Sequence, residues 1–123
     1  MPQSATARGR HAEELAAHAL EVLGYEIITR NWRCPVGEID LITWQGSDLV
    51  FVEVKARSGA SFGAPEEAVT AAKQSHLIQA AQAYLAEKDL DVDWRIDVVA
   101  VLLAPSGKVE RLDLFQNAVI YEE

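Results

Sequence analysis

Between Gly37 and Lys55, two apolar runs carry charges where a buried strand normally has none. The first reads Gly37-Glu38-Ile39-Asp40-Leu41-Ile42 and the second Leu49-Val50-Phe51-Val52-Glu53-Val54-Lys55. Both runs read as strands, whose side chains alternate between faces. Gly46-Ser47 supplies the centre of a tight hairpin, with glycine first as a type II′ turn prefers. Closing the hairpin there sets Gln45 opposite Asp48, Thr43 opposite Val50, Asp40 opposite Glu53 and Glu38 opposite Lys55. Opposed residues share a face and lie about 5 Å apart. The expectation is a cluster of Glu38, Asp40, Glu53 and Lys55 on one side, with Ile39, Leu41, Val52 and Val54 turned to a core on the other. A slip of one residue would scatter it.

The rest of the pattern frames this hairpin. Ala12, Leu15, Ala16, Ala19, Leu20 and Leu23 recur at helical spacing and predict a first helix over about 8–23, stopped by Gly24. Glu14 and Glu21 fall opposite the stripe. Glu13 falls at its edge, where it either stays solvated or reaches a site between helix and sheet. A strand over about 25–33 and a turn at Cys34-Pro35-Val36-Gly37 follow. The small, glycine-rich segment 56–65 is either a plain surface connection or a mobile lid beside Lys55. A second helix covers about 65–87, bent or restarted near Thr70 as a cap. Leu77, Ala81 and Tyr84 lie on its apolar face. Lys73 lies one turn earlier on that face, either snorkelling to solvent or pointing at the sheet. His76 has no His or Cys at ligand spacing and reads as a surface residue.

After the acidic loop 87–93 comes a strand over 94–103. Its hydrophobicity, interrupted by Arg95 and Asp97, marks a central strand covered on both faces. A turn at 105–108 leads to a last strand over about 109–114. The order α-β-β-β-α-β-β predicts an α/β fold, a mixed β-sheet of about five strands flanked by helices, with a crossover through the second helix. No repeat or boundary interrupts it, so residues 1–123 read as one domain.

Half of the 123 residues are hydrophobic, which suits a globular chain with a real core. No apolar run approaches the length of a membrane span, and the polar start lacks a secretory signal. Cys34 is the only cysteine, which excludes an internal disulfide and a cysteine-based zinc site. A cytoplasmic protein with no membrane partner is expected. The net charge of −8 argues against a nucleic-acid partner, but its distribution softens that. Residues 1–76 hold 7 Lys/Arg against 10 Asp/Glu, and residues 77–123 hold 4 against 9. With Glu13, Asp40 and Glu53 set aside as possible ligands, the first part balances at 7 against 7. Any nucleic-acid surface belongs there, and Lys73, Arg57, Arg33 and Arg10 are its candidate contacts.

Two carboxylates as close as Asp40 and Glu53 repel when both are ionised. A divalent cation removes the repulsion, and all-oxygen ligands select Mg²⁺ or Mn²⁺ over Zn²⁺. A neighbouring lysine can position a water or offset charge growing on a phosphate. The alternative is an ordinary cross-strand salt bridge between Glu38 and Lys55, with Asp40 and Glu53 on a solvated face.

An acid on one strand, a short hairpin, then Glu-x-Lys on the next resembles the core of the PD-(D/E)XK nuclease superfamily. Here it is Asp40 followed by Glu53-Val54-Lys55. More closely, the chain resembles the YraN-like family of small bacterial proteins. The matching segments are 9–13, 31–34, 37–42 and 50–55, followed by Phe62-Gly63, Lys73, 81–85, 95–98 and Asn117-Ala118. The resemblance implies a restriction-endonuclease-like fold with Asp40, Glu53 and the Val54 carbonyl as metal ligands. Lys55 would position or activate the attacking water. Glu13 would match the helix acid that archaeal Holliday-junction resolvases place near the metal, and Lys73 would contact phosphate. Ala12, Ile96 and His76 depart from the family's usual Gly, Phe and Arg.

The implied function is a Mg²⁺- or Mn²⁺-dependent nuclease hydrolysing DNA phosphodiester bonds, with branched or processed DNA as substrate. If it handles symmetric junctions, it would act as a homodimer. One alternative is a non-catalytic nucleic-acid or protein binding module on the same fold. Another is an interaction protein presenting Trp32, Trp44 and Phe62 as an exposed patch.

Overall fold

The computed structural model describes the backbone of residues 2–58 and 70–119 and the side chains of residues 9–57 and 70–119. Its elements are α1 (Pro2–Val22), β1 (Glu26–Cys34), β2 (Gly37–Gln45), β3 (Asp48–Ser58), α2 (Ala71–Glu87), β4 (Trp94–Leu103) and β5 (Val109–Val119). The expected α-β-β-β-α-β-β order is present. Residues 59–65 of the glycine-rich segment, with Phe62, and residues 65–69 of the second helix lie outside the described residues.

The hairpin closes as its sequence predicts. Gly46 takes φ +60°, and Gln45 pairs with Asp48 across it. The ladder runs through Thr43–Val50 to Leu41–Val52 and goes no further. β3 then pairs with β4 in parallel, so the sheet is mixed, in the order β1-β2-β3-β4-β5. α2 is the connection that allows this parallel step. Thr70 caps it, its hydroxyl accepting from the Lys73 N–H at 3.2 Å.

Both faces of the sheet are covered. Against α1 lie Leu41, Val50, Val52, Val99 and Val101, packed on Ala12, Ala16, Ala17 and Leu20. Against α2 lie Ile39, Ile42, Phe51, Ile96 and Val98, packed on Leu77, Ala80, Ala81 and Tyr84. β4 therefore contributes to two cores, which explains its nearly continuous hydrophobicity. Trp32 and Trp44 pack against the α2-side core. Trp32 meets Tyr84 edge to face at 5.2 Å, so the two tryptophans do not form the exposed patch considered above.

Three expectations need correction. Leu23 belongs to the stripe of α1 by periodicity, yet it is 57% exposed, because the helix ends at Val22 and the chain turns away. The last strand continues to Val119, five residues beyond its expected end, carried past Leu114 by pairing along β4. Ile39 does not share a face with Leu41: Ile39 lies under α2 and Leu41 under α1. Alternation fails at Asp40, between them. β1 changes face beside it. Arg30 pairs with Glu14 of α1, whereas Trp32 stacks on α2. Between them Asn31 adopts a left-handed φ of 53°, which Asn tolerates better than most residues. β1 is further interrupted by a register shift between Ile27 and Thr29.

A second polar cluster is buried on the α1 side. Asp97 is fully buried and accepts four hydrogen bonds. Arg95 Nε and the Asn117 N–H reach Oδ1 at 3.0 and 2.9 Å. The Tyr25 hydroxyl and Arg95 Nη2 reach Oδ2 at 2.9 and 3.3 Å. Arg95 also contacts Gln45 and Asp48 at the hairpin turn. One buried carboxylate thus ties together the end of α1, the β2–β3 turn and the end of β5.

Candidate functional site

Where the β2–β3 ladder stops, a side chain replaces the backbone. Asp40 Oδ2 accepts from the Val54 N–H at 2.8 Å. This bond wedges a carboxylate between two strands that the hairpin would otherwise have zipped together. Glu53, one residue earlier on β3, is buried with its side chain 4% exposed. Phe51 faces α2, so alternation turns Glu53 the same way.

Two cations converge on one oxygen of Glu53. Lys73 Nζ lies 3.3 Å from Oε2, and Lys55 Nζ lies 3.7 Å from the same atom. Oε1 is buried and has no hydrogen-bond partner among the described residues. An orphaned carboxylate oxygen in the interior costs free energy unless something meets it. The Lys73 ammonium therefore turns to the sheet and does not snorkel away. His76 is exposed, as expected.

Burial, and then the charge of Glu53, push the Asp40 carboxyl up to about 8, against the pull of the Val54 N–H. Glu13 on α1 is also raised, chiefly by burial, with Glu38 and Glu53 adding to the effect. Asn31 lies beside it. With its amide nitrogen turned to the acids, it donates to Glu13 Oε1 at 3.0 Å and Glu38 Oε2 at 3.2 Å. Arg33 pairs with Glu38 at 3.6 Å. Gly9, Arg10, Glu13, Asn31, Arg33 and Glu38 line a cavity of about 480 Å³.

The structure brings Asp40, Glu53, Lys55 and Lys73 together, with Val54 bonded to Asp40. Glu38 does not pair with Lys55 as the closed hairpin implied, because the strands have parted before reaching them; it turns to Arg33 and Asn31. Glu13, Arg10 and Arg33 sit at the adjoining cavity. Arg57 donates from Nη1 to the Ala56 carbonyl at 3.3 Å. Among the described residues, no three His, Cys, Asp or Glu side chains form a ready ligand set. The centre is a carboxylate pair, not a triad. The residue that sequence reasoning missed is Asn31. Its signal was an Asn inside a strand whose apolar positions change face around it.

Asp40 and Glu53 offer oxygen donors only, two acids where a ready ligand set would bring three. Asp40 is partly buried and its carboxyl is raised by burial and by Glu53, while buried Glu53 has one oxygen without a hydrogen-bond partner among the described residues. Hard oxygen donors of this kind favour Mg²⁺ or Mn²⁺.

A pH test follows from Asp40. Folded, metal-free protein holds the Asp40 proton up to about pH 8, whereas the unfolded chain releases it near 3.8. Between these values the native state binds more protons, so stability falls as pH rises. In EDTA, unfolding free energy should drop by on the order of 3 kcal/mol more between pH 5.5 and 8.5 than it does in Asp40→Asn. Equal pH profiles for the two proteins would contradict the desolvated, repelled carboxyl.

Fold and site together define the class: an α/β protein with a five-stranded mixed sheet that splits open at a carboxylate pair, one acid buried and one partly buried, flanked by lysines. The model of the uncharacterised protein family UPF0102 matches residues 12–101, and the chain belongs to that family. It is similar to a UPF0102 protein of Beutenbergia cavernae, 50% identical over 107 residues, covering 85% of this chain and 91% of the relative. A UPF0102 protein of Pelotomaculum thermopropionicum is 46% identical over 111 residues, covering 89% and 92%. One of Caldicellulosiruptor saccharolyticus is 41% identical over 111 residues, covering 89% and 94%. No helix among the described residues is long and apolar enough to cross a membrane.

Proposed function

We propose that this protein is a Mg²⁺- or Mn²⁺-dependent nuclease of the PD-(D/E)XK type that hydrolyses DNA phosphodiester bonds. The observation that carries the reading is the pair of partly buried Asp40 and buried Glu53 at the split between β2 and β3, with two lysine ammoniums on one Glu53 oxygen. A structural ion pair would not need a second acid kept protonated beside it. Asp40, Glu53 and the Val54 carbonyl would hold the cation, with Glu13 supplying acid from α1. The cation, when bound, lowers the pKa of water and polarises a phosphoryl oxygen. Lys55 orients the attacking water toward phosphorus and offsets charge on the phosphoryl oxygens. Lys73, Arg57, Arg33 and Arg10 hold the flanking phosphates. A homodimer would present two such centres to a symmetric branched substrate.

The test is cleavage of labelled duplex, single-stranded and four-way-junction DNA with Mg²⁺ or Mn²⁺. Cutting by the protein that disappears in Asp40→Asn supports the reading, and the preferred DNA names the substrate. The net charge of −8 favours a second reading, a non-catalytic binding module on the same fold. Inactivity on all three DNAs, with binding that survives both EDTA and Asp40→Asn, would replace the nuclease by that module.

A further inference from the structure

Glu53 has an uneven set of partners. Both lysines approach Oε2, and Oε1 has none among the described residues. The lysines are not equivalent. Lys55 stands two residues from Glu53 on the same strand, and its side chain is 25% exposed. Lys73 comes from the first turn of α2, and its side chain is 39% exposed. The backbone there is fixed by the Thr70 cap, through the Lys73 and Gln74 N–H groups at 3.2 and 2.8 Å. The four-carbon stem of Lys73 can therefore swing without moving the helix. If its ammonium leaves, Lys55 remains, so Glu53 is not stranded as a lone buried charge.

We propose that Lys73 is an exchangeable counter-cation: it occupies Glu53 when no divalent cation is present, and surrenders that oxygen to the cation when a phosphodiester takes up the ammonium. This rests on the metal-dependent reading above and deepens it. An ammonium and a divalent cation compete for the same carboxylate. Cation binding therefore releases Lys73 toward the substrate, and substrate that holds Lys73 clears the place for the cation. The two ligands strengthen each other by the same factor, since the coupling is reciprocal. Lys73 is thus a positioning residue that links loading to occupancy. Cation binding alone stays weak, and DNA makes it tight.

The experiment is a titration of the full chain with Mn²⁺, followed by electron paramagnetic resonance of the free ion. It compares the native sequence with Lys73→Met, Lys73→Arg and Glu53→Gln, with and without a hydrolysis-resistant phosphorothioate oligodeoxynucleotide. Without DNA, Lys73→Met should bind Mn²⁺ about three- to tenfold more tightly than the native protein, because the competitor is gone. Lys73→Arg should bind like the native protein. The oligonucleotide should tighten Mn²⁺ binding to the native protein by a similar factor and leave Lys73→Met unchanged. Circular dichroism would confirm that the Lys73 variants fold, as expected for a partly exposed side chain. Mn²⁺ binding that Glu53→Gln abolishes but Lys73→Met leaves equal or weaker overturns the exchange while keeping the metal centre. No saturable Mn²⁺ binding by any of the proteins overturns both.

Discussion

Asp40→Asn should abolish cleavage, by about a thousand-fold or more, and should at the same time raise the thermal stability of the cation-free protein at pH 8.5. The loss follows from removing a charge that would hold the cation against the transition state, where one electrostatic contact is worth about 10²–10³ in rate. The gain follows from the site's own strain. The Asp40 carboxyl is pushed up to about 8 by burial and by Glu53, so a neutral amide of the same shape removes a repulsion. The amide oxygen can still accept from the Val54 N–H. Lys55→Ala should cut activity by about a hundred-fold with little change in stability, because Lys73 still neutralises Glu53. Single-turnover cleavage beside melting curves reads both effects. An Asp40→Asn protein that stays active, or one that loses activity only by unfolding, would remove the carboxylate pair from the chemistry. Residues that function needs and stability does not are expected to show this opposition.

Asp97→Ala should be the most destabilising single change, by about 3–5 kcal/mol, enough to unfold a marginal domain. The side chain is fully buried and accepts from Arg95, Tyr25 and the Asn117 backbone. Removing it leaves the Tyr25 phenol and the Asn117 N–H without this acceptor and the Arg95 guanidinium with only Gln45 and Asp48, and burial of unpaired polar groups is costly. Urea unfolding measures it directly. A loss under 1 kcal/mol would mean that water or the neighbouring Gln45 and Asp48 takes over the role. Because Asp97 reaches the hairpin turn only through Arg95, the destabilised protein should lose structure at the end of α1 and at the end of β5 together.

Most of the frame was legible because it rests on local rules. The turn at Gly46 and the start of the β2–β3 register follow from turn chemistry. The bounds of β4 follow from a run too apolar for an edge strand. The cap of α2 follows from Thr70. What failed were places where tertiary pairing overrides period. Ile39 and Leu41 should share a face by alternation, but the Asp40 carboxylate bonds the Val54 N–H and the strand rotates there. The Glu38–Lys55 pairing was lost for the same reason: a hairpin was extended past the residue that opens it. Asp97 was visible only as a charge interrupting β4, since its partners come from positions 25, 95 and 117, which sequence spacing does not bring together. The grouping of Asp40, Glu53 and Lys55 was legible because one hairpin carries all three. Lys73 was ambiguous until the packing of α2 fixed its direction, and Asn31 gave no signal strong enough to assign it a role.

The left-handed Asn31 has a consequence outside the site. β1 is one of the two outer strands, and among the described residues no strand pairs with its far side, which leaves backbone groups open to any extended chain that drifts by. Such rims seed aggregation when they are long, flat and regular. This one is neither flat nor regular: it shifts register after Ile27 and reverses its faces at Asn31. The outer strand at the opposite rim, β5, carries Glu110, Arg111 and Asp113 and its own left-handed residue at Asn117. The kink that delivers an amide to two carboxylates also leaves a foreign strand only a few consecutive residues to zip onto, so each rim is a poor template for fibril growth.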